Sequence, residues 1–382
     1  DGDDFLTDGT LSSRYGIDEL DLKPSIASAR YSLDGGLYFD REFKLFSNEY
    51  QQTLEPRVMW VKSPYIKNQD RIPNFDSAEI TVTYASLFTG ERFTGGDRLA
   101  DLDQVSGGLT TRFIRDDGLE QFRASVGQIF YANDRRVLLD TEPTRLIKDP
   151  ADPSQNILKP LPEENLQHNS SILGEVEVNP TNNLSLFATW EYDPYYEYNK
   201  QERYGIRFED QRNHIFNLAT NKVQKYNDNF KNDPIKQKRI NVDSYQLDAG
   251  LFFSLTDSWA VFGRSLIDLK DYRKEDPSLG IQAEAKPFSN VLESMVGLEY
   301  QNCCWRVQFT YRETSLKAGS YRVYDPVGND ITDEYMKTYT TQKRYAYFLT
   351  FQFKGLGYVG KNTDRLLNED LPGYSKRIYH DY

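Results

Sequence analysis

The chain has 382 residues, with 46 Lys and Arg against 58 Asp and Glu, a formal net charge of −12 that disfavours a nucleic-acid partner, since nucleic acids are held through basic surfaces. Hydrophobic residues make up 38%, and no run approaches the ~18 apolar residues of a spanning helix, which argues against a helical membrane protein. A transmembrane β-barrel stays open: its strands show lipid only every second residue, and its interfaces take aromatics, here 27 Tyr and 22 Phe.

Residues 1–25 are acidic and weakly patterned and are expected to form an N-terminal segment outside the sheet. Period-2 alternation between turn residues then predicts about fourteen strands. They fall near 26–33, 37–46, 51–62, 105–115, 119–131, 170–179, 184–192, 203–210, 213–222, 242–255, 259–269, 290–300, 304–313 and 344–355. Pro56 interrupts the third. Proline has no N–H for a ladder, so a bulge or an edge is expected there.

The Gly-rich stretch Thr89 to Arg98 lacks the Gly-Lys-Ser/Thr ending of a phosphate loop and is not followed by a helix, so it reads as an ordered loop folding inward. Asp116-Asp117-Gly118 is turn chemistry rather than a paired-carboxylate site. From residue 105 onward, connections alternate between tight and long: 116–118, 180–183, 211–212, 256–258 and 301–303 are tight. Residues 132–169, 223–241, 270–289 and 314–343 are long, and 193–202 is intermediate. Outer-membrane barrels show this bias, with short periplasmic turns and long extracellular loops, whereas a sandwich clusters loops at both ends.

The hairpin around residues 296–312 is the most informative stretch. Trp305, Val307, Phe309 and Tyr311 share one face and Arg306, Gln308, Thr310 and Arg312 the other, so the strand lies between an apolar and a polar environment. Cys303 and Cys304, the only cysteines, sit in its tight turn. Adjacent cysteines bond each other only under strain. They are either an unremarkable vicinal pair or each is bonded to a cysteine outside this chain, as an oxidising periplasm permits. The last strand sets Tyr345, Tyr347, Leu349, Phe351 and Phe353 on its outward face. Residues 26–355 are thus strands and loops, and residues 356–382 form a tail on the tight-turn side. His168, His214 and His380 are scattered, and neither HExxH nor GxSxG occurs, so no enzyme, metal site or cofactor is expected.

Five segments, Tyr50 to Arg57 (YQQTLEPR), Leu87 to Leu99 (LFTGERFTGGDRL), Ser125 to Tyr131 (SVGQIFY), Gly297 to Cys304 (GLEYQNCC) and Phe353 to Gly357 (FKGLG), resemble the C-terminal barrel portion of the LptD family. That family assembles lipopolysaccharide in Gram-negative outer membranes. The resemblance implies an all-β, antiparallel transmembrane barrel segment that inserts lipopolysaccharide into the outer leaflet through a polar lumen and a lateral exit. It also implies that Cys303 and Cys304 form disulfides to cysteines near the N-terminus of a longer protein, and that Tyr345, Tyr347, Leu349, Phe351 and Phe353 lie on the last strand of a lateral gate. The implied partners are lipopolysaccharide, an LptE-like plug lipoprotein, the lipid bilayer, and an LptA-like periplasmic bridge reached through an N-terminal domain that this sequence lacks. A passive porin-type channel would show the same alternation and is the alternative.

Overall fold

The computed structural model describes residues 26–45, 48–67, 69–140, 146–148, 155–158, 160–212, 214–226, 240–269, 273–276, 281–287, 291–316, 319–323, 342–353, 357–359 and 374. The expected N-terminal segment 1–25 lies outside the described residues, as does most of the tail. The strands, in chain order, are β1 (Tyr31–Gly36), β2 (Phe39–Leu45), β3 (Asn48–Ser63), β4 (Leu102–Arg115), β5 (Glu120–Tyr131), β6 (Leu146–Lys148) and β7 (Asn156–Leu158). A one-turn helix, α1 (Glu163–Leu166), leads to β8 (Ile172–Thr181), β9 (Leu184–Asp193), β10 (Tyr198–Glu209), β11 (Ile215–Tyr226), β12 (Ile240–Ser254) and β13 (Trp259–Asp268). The remainder are β14 (Arg273–Asp276), β15 (Ile281–Pro287), β16 (Val291–Gln301), β17 (Trp305–Leu316), β18 (Gly319–Val323), β19 (Gln342–Phe353) and β20 (Gly357–Val359).

All fourteen predicted strands are present, because the alternation that marks them is the alternation of the sheet itself. The principal sheet has 15 strands. Among the described residues, no helix is long and apolar enough to cross a membrane. The 193–202 connection is shorter than expected: β10 begins at Tyr198, leaving residues 194–197 as a tight turn with Glu197 at φ 56°. The polar run Asn199-Lys200-Gln201 hides the strand start from a hydrophobic pattern. Three of the long connections, 132–169, 270–289 and 314–343, carry structure of their own. The β14–β15 hairpin and β18 form a separate three-stranded sheet, and β6 pairs with β7.

The chain divides into two compact units. In the first (Asp1–Gly118, Arg123–Glu175, Tyr192–Tyr195), the strands run β1-β3-β4-β5, with β2 also beside β3. Its buried face is built by Thr53, Met59, Val61, Leu102, Ser106, Thr110, Ser125 and Ile129, while Leu54, Val58, Trp60, Val105, Leu109, Val126 and Phe130 are exposed on the other. The segment between β3 and β4 folds onto the buried face, where Leu87 and Phe88 join Met59, Val61, Leu102, Ile129 and Leu173 in one cluster. Glycines clear the space. A Cβ at Gly108 would lie 2.7 Å from the Phe88 ring, and one at Gly127 would lie 2.6 Å from Leu87. Tyr84 completes the seat through a 3.0 Å hydrogen bond between its hydroxyl and Thr110. The inward fold expected for the Thr89 to Arg98 stretch thus begins at its preceding residues. Farther out, the backbone N–H groups of Asp76 and Phe75 hold the Asp97 carboxyl below the usual carboxylate range.

The bulge expected at Pro56 is absent. β3 and β4 keep a single register from Tyr50↔Arg115 through Pro56↔Leu109 to Ser63↔Leu102. On the opposite side β1 ends at Gly36↔Arg57 and β2 resumes at Phe39↔Leu54 in the same register. Leu37 N–H donates to the Pro56 carbonyl at 3.0 Å, and Pro56 has no N–H to answer. The proline breaks the ladder into β1 and β2 without shifting it. The register shifts that do occur lie between Val223 and Gln224 and between Leu266 and Ile267.

The second unit (Leu119–Phe122, Val176–Glu191, Tyr196–Tyr382) carries the order β9-β10-β11-β12-β13-β16-β17-β19-β20. Here too the large apolar side chains Tyr204, Ile206, Phe208, Phe216, Leu251, Phe253, Val296, Leu298 and Phe309 are exposed on one face. The other face buries polar groups: Glu299, Arg306, Gln308, Thr310 and Thr350. A water-soluble sheet does the reverse, so the exposed face is built for an apolar solvent.

Candidate functional site

The β16–β17 hairpin positions the two cysteines. Asn302 turns the chain by accepting the backbone N–H of Cys304 and of Trp305 through its side-chain oxygen, each at 2.9 Å. Both cysteines are exposed at this turn, with their sulfurs 2.7 Å apart.

Beyond the turn, β17 pairs with β19 over twelve residues, from Trp305↔Phe353 to Leu316↔Gln342. Their outward side chains form an aromatic ladder. Trp305 stacks on Phe351 at 5.6 Å, Phe309 on Tyr347 at 6.5 Å, and Tyr311 on Tyr345 at 6.4 Å. Tyr345, Tyr347, Leu349 and Phe353 are exposed, Leu349 at 65%, while Phe351 is half-buried by its packing against Trp305 and Phe353. On its second side β19 meets only β20 among the described residues, through Phe351, Gln352 and Phe353. The five residues expected on the last strand therefore share one face. Pro56 belongs to the first unit and is not part of this site.

Behind the aromatic ladder lies a buried polar cluster that sequence reasoning missed. Glu299 and Gln308 are cross-strand partners; Glu299 is fully buried, and its Oε2 accepts from Gln308 Nε2 at 2.7 Å. Arg306 lies 3.9 Å from the same oxygen and also donates to Gln352 Oε1. The unexpected member is Tyr374, from the tail. Its hydroxyl accepts from Gln308 at 2.9 Å and from Arg306 at 3.3 Å, while its ring packs 5.6 Å from Phe252. Phe252, Phe262, Ala260, Met295 and Ile215 complete the apolar patch around it. The tail is thus fastened to the polar face two residues beyond the cysteine turn. The only signal for this in the sequence is an aromatic directly after Leu371-Pro372-Gly373.

Farther along the same face, charged pairs are largely neutralised in place. Arg264 grips both oxygens of Asp248 at 2.8 and 2.9 Å, and Arg312 donates to Glu293 at 2.7 Å. Among the described residues no group of three or more His, Cys, Asp or Glu is arranged to hold a metal ion.

The family model LptD, described as LPS transport system D, matches residues 2–259. An LPS-assembly protein LptD from Hahella chejuensis is 31% identical over 372 residues, covering 97% of this chain and 38% of that protein. One from Pseudomonas aeruginosa is 31% identical over 362 residues, covering 90% of this chain and 34% of its own length. The chain therefore spans only 38% and 34% of these two curated relatives. Among solved structures, the ferric enterobactin receptor PfeA is similar at TM-score 0.40 and 10% identity, over 85% of this chain and 47% of that one. With the family model matched over more than half its length, the chain belongs to the LptD family of β-barrel proteins of the Gram-negative outer membrane.

Proposed function

We propose that this chain forms part of the wall of a lipopolysaccharide translocon, which passes the sugar portion along its polar face and releases the acyl chains sideways at β19. One observation carries this reading: the sheet is inverted, with apolar side chains exposed on one face and charged and amide groups buried on the other. An amphiphile with a polar sugar and several acyl chains needs both a polar path and a route into lipid. β19, paired along its length on one side and over three residues on the other, supplies a boundary where few ladder bonds need to break. Each contributes only about 0.5–1.5 kcal/mol net. Tyr345, Tyr347, Leu349, Phe351 and Phe353 would line the lipid side of that exit. An LptE-like plug and an LptA-like periplasmic bridge are the partners this reading requires.

A photo-crosslinking amino acid placed in the complete protein tests it. At Asn217, on the polar face, irradiation of growing cells is expected to give a lipopolysaccharide adduct; at Phe216, on the exposed face, it is expected to give phospholipid adducts instead. A passive porin-type channel would give no lipopolysaccharide adduct at either position.

The cysteines give a second test. In the protein taken from its native outer membrane and kept unreduced, peptide mass spectrometry is expected to find Cys303 and Cys304 each bonded to a cysteine from outside residues 1–382. Their exposure at the turn leaves both sulfurs accessible for that exchange. Free thiols at both positions would remove this part of the reading.

A further inference from the structure

Two arginines depart from the paired arrangement of the polar face. Arg203, Gly205 and Arg207 follow one another at period 2 along β10, while Tyr204, Ile206 and Phe208 between them are exposed on the apolar side. The ring of Phe187, on β9, occupies the space above Gly205, where a Cβ would lie 2.3 Å from its Cζ atom. The guanidinium carbons of Arg203 and Arg207 lie 5.1 and 5.8 Å from the centre of that one ring. Arg207 also donates to Asn217 Oδ1 at 3.3 Å. Neither forms an ion pair with a carboxylate of the described residues, whereas Arg264, Arg306 and Arg312 all do. Asp248 reaches Arg203 only through space, its two oxygens being held by the Arg264 fork.

Two like charges gathered on one ring, half-buried and with no carboxylate in an ion pair with either, repel each other and favour an anion that sits with them. Guanidinium is the side chain whose planar fork matches phosphate and carboxylate oxygens in bidentate fashion. We infer that Arg203 and Arg207, spaced by Phe187 over Gly205, form a binding site for a sugar-borne oxyanion on the polar face. The inference rests on the translocon reading for the source of that anion, a charged sugar of the transported lipid, but the site itself follows from the geometry of these four residues.

The test uses the purified complete protein in detergent micelles, with glucose 1-phosphate as the probe and its phosphorus NMR line width as the readout. Saturable broadening is expected, relieved by glucuronate and by inorganic phosphate but not by glucose. R203Q/R207Q should weaken it by roughly tenfold or more and R207Q by less, each first shown to fold by its heat-modifiable gel mobility. Absence of broadening in the wild type, relief by neutral glucose, or undiminished broadening in a folded R203Q/R207Q would overturn the inference. An Asn217 lipopolysaccharide adduct alongside a negative phosphate result would sink this site alone; broadening without the adduct would sink the translocon reading and leave the site standing.

Discussion

Replacing Arg306 with methionine is expected to destabilise the second unit by about 3–5 kcal/mol, because it removes a cation from beside a buried carboxylate. Glu299 is fully buried, and a guanidinium nitrogen of Arg306 lies 3.9 Å from its Oε2. Gln308 can give Glu299 a hydrogen bond but no charge. The same substitution also removes donors to Tyr374 and Gln352, so the tail and β19 lose a tie together. Urea unfolding in lipid vesicles should show a lower midpoint for R306M. R306M/E299Q, which leaves no charge behind, should recover a large part of the loss. An R306M midpoint equal to that of the wild type would mean that water or another group already compensates Glu299.

A loss of similar size is expected for Phe262→Ala, by a different route. Phe262 is 1% exposed; its ring lies 6.2 Å from Phe252, and a Cβ at Gly297 would meet its Cζ at 2.1 Å. Truncation leaves a cavity that Gly297 has no side chain to fill, and Phe→Ala at such sites costs about 3–5 kcal/mol. The double variant F262A/G297V should regain part of this by placing methyl groups in the space the ring vacates, whereas G297V alone should destabilise through the clash. If F262A unfolds at the wild-type midpoint, the Phe252–Phe262–Met295–Tyr374 patch is not a stability core.

The strands were legible because their sequence pattern is a direct image of their two solvents. Trp305, Val307 and Phe309 alternate with Arg306, Gln308 and Thr310 in sequence, and the structure separates the same two sets by face. The hairpin turn and the outward stripe of β19 follow from the same period. What escaped were contacts with no period. Tyr374 reaches the polar face from a segment outside the sheet, and Phe187 finds Gly205 across a strand pair. The start of β10 was hidden because polar residues belong on one face of such a wall and, at Asn199-Lys200-Gln201, occupy both. At Pro56 the chemistry was read correctly but its consequence was not. A missing donor can be absorbed by a gap in the neighbouring strand, which leaves the register intact, as readily as by a bulge.

That gap also sets how the outermost pairing comes apart. β1 and β2 meet β3 in one shared register but as separate ladders of six and seven residues, with the Pro56–Leu37 step between them. Under a pull across the strands, a continuous zipper would resist as a single cooperative unit. Here rupture can stop at the proline: one ladder peels and re-zips while the other holds the alignment, and no realignment is needed when the first returns.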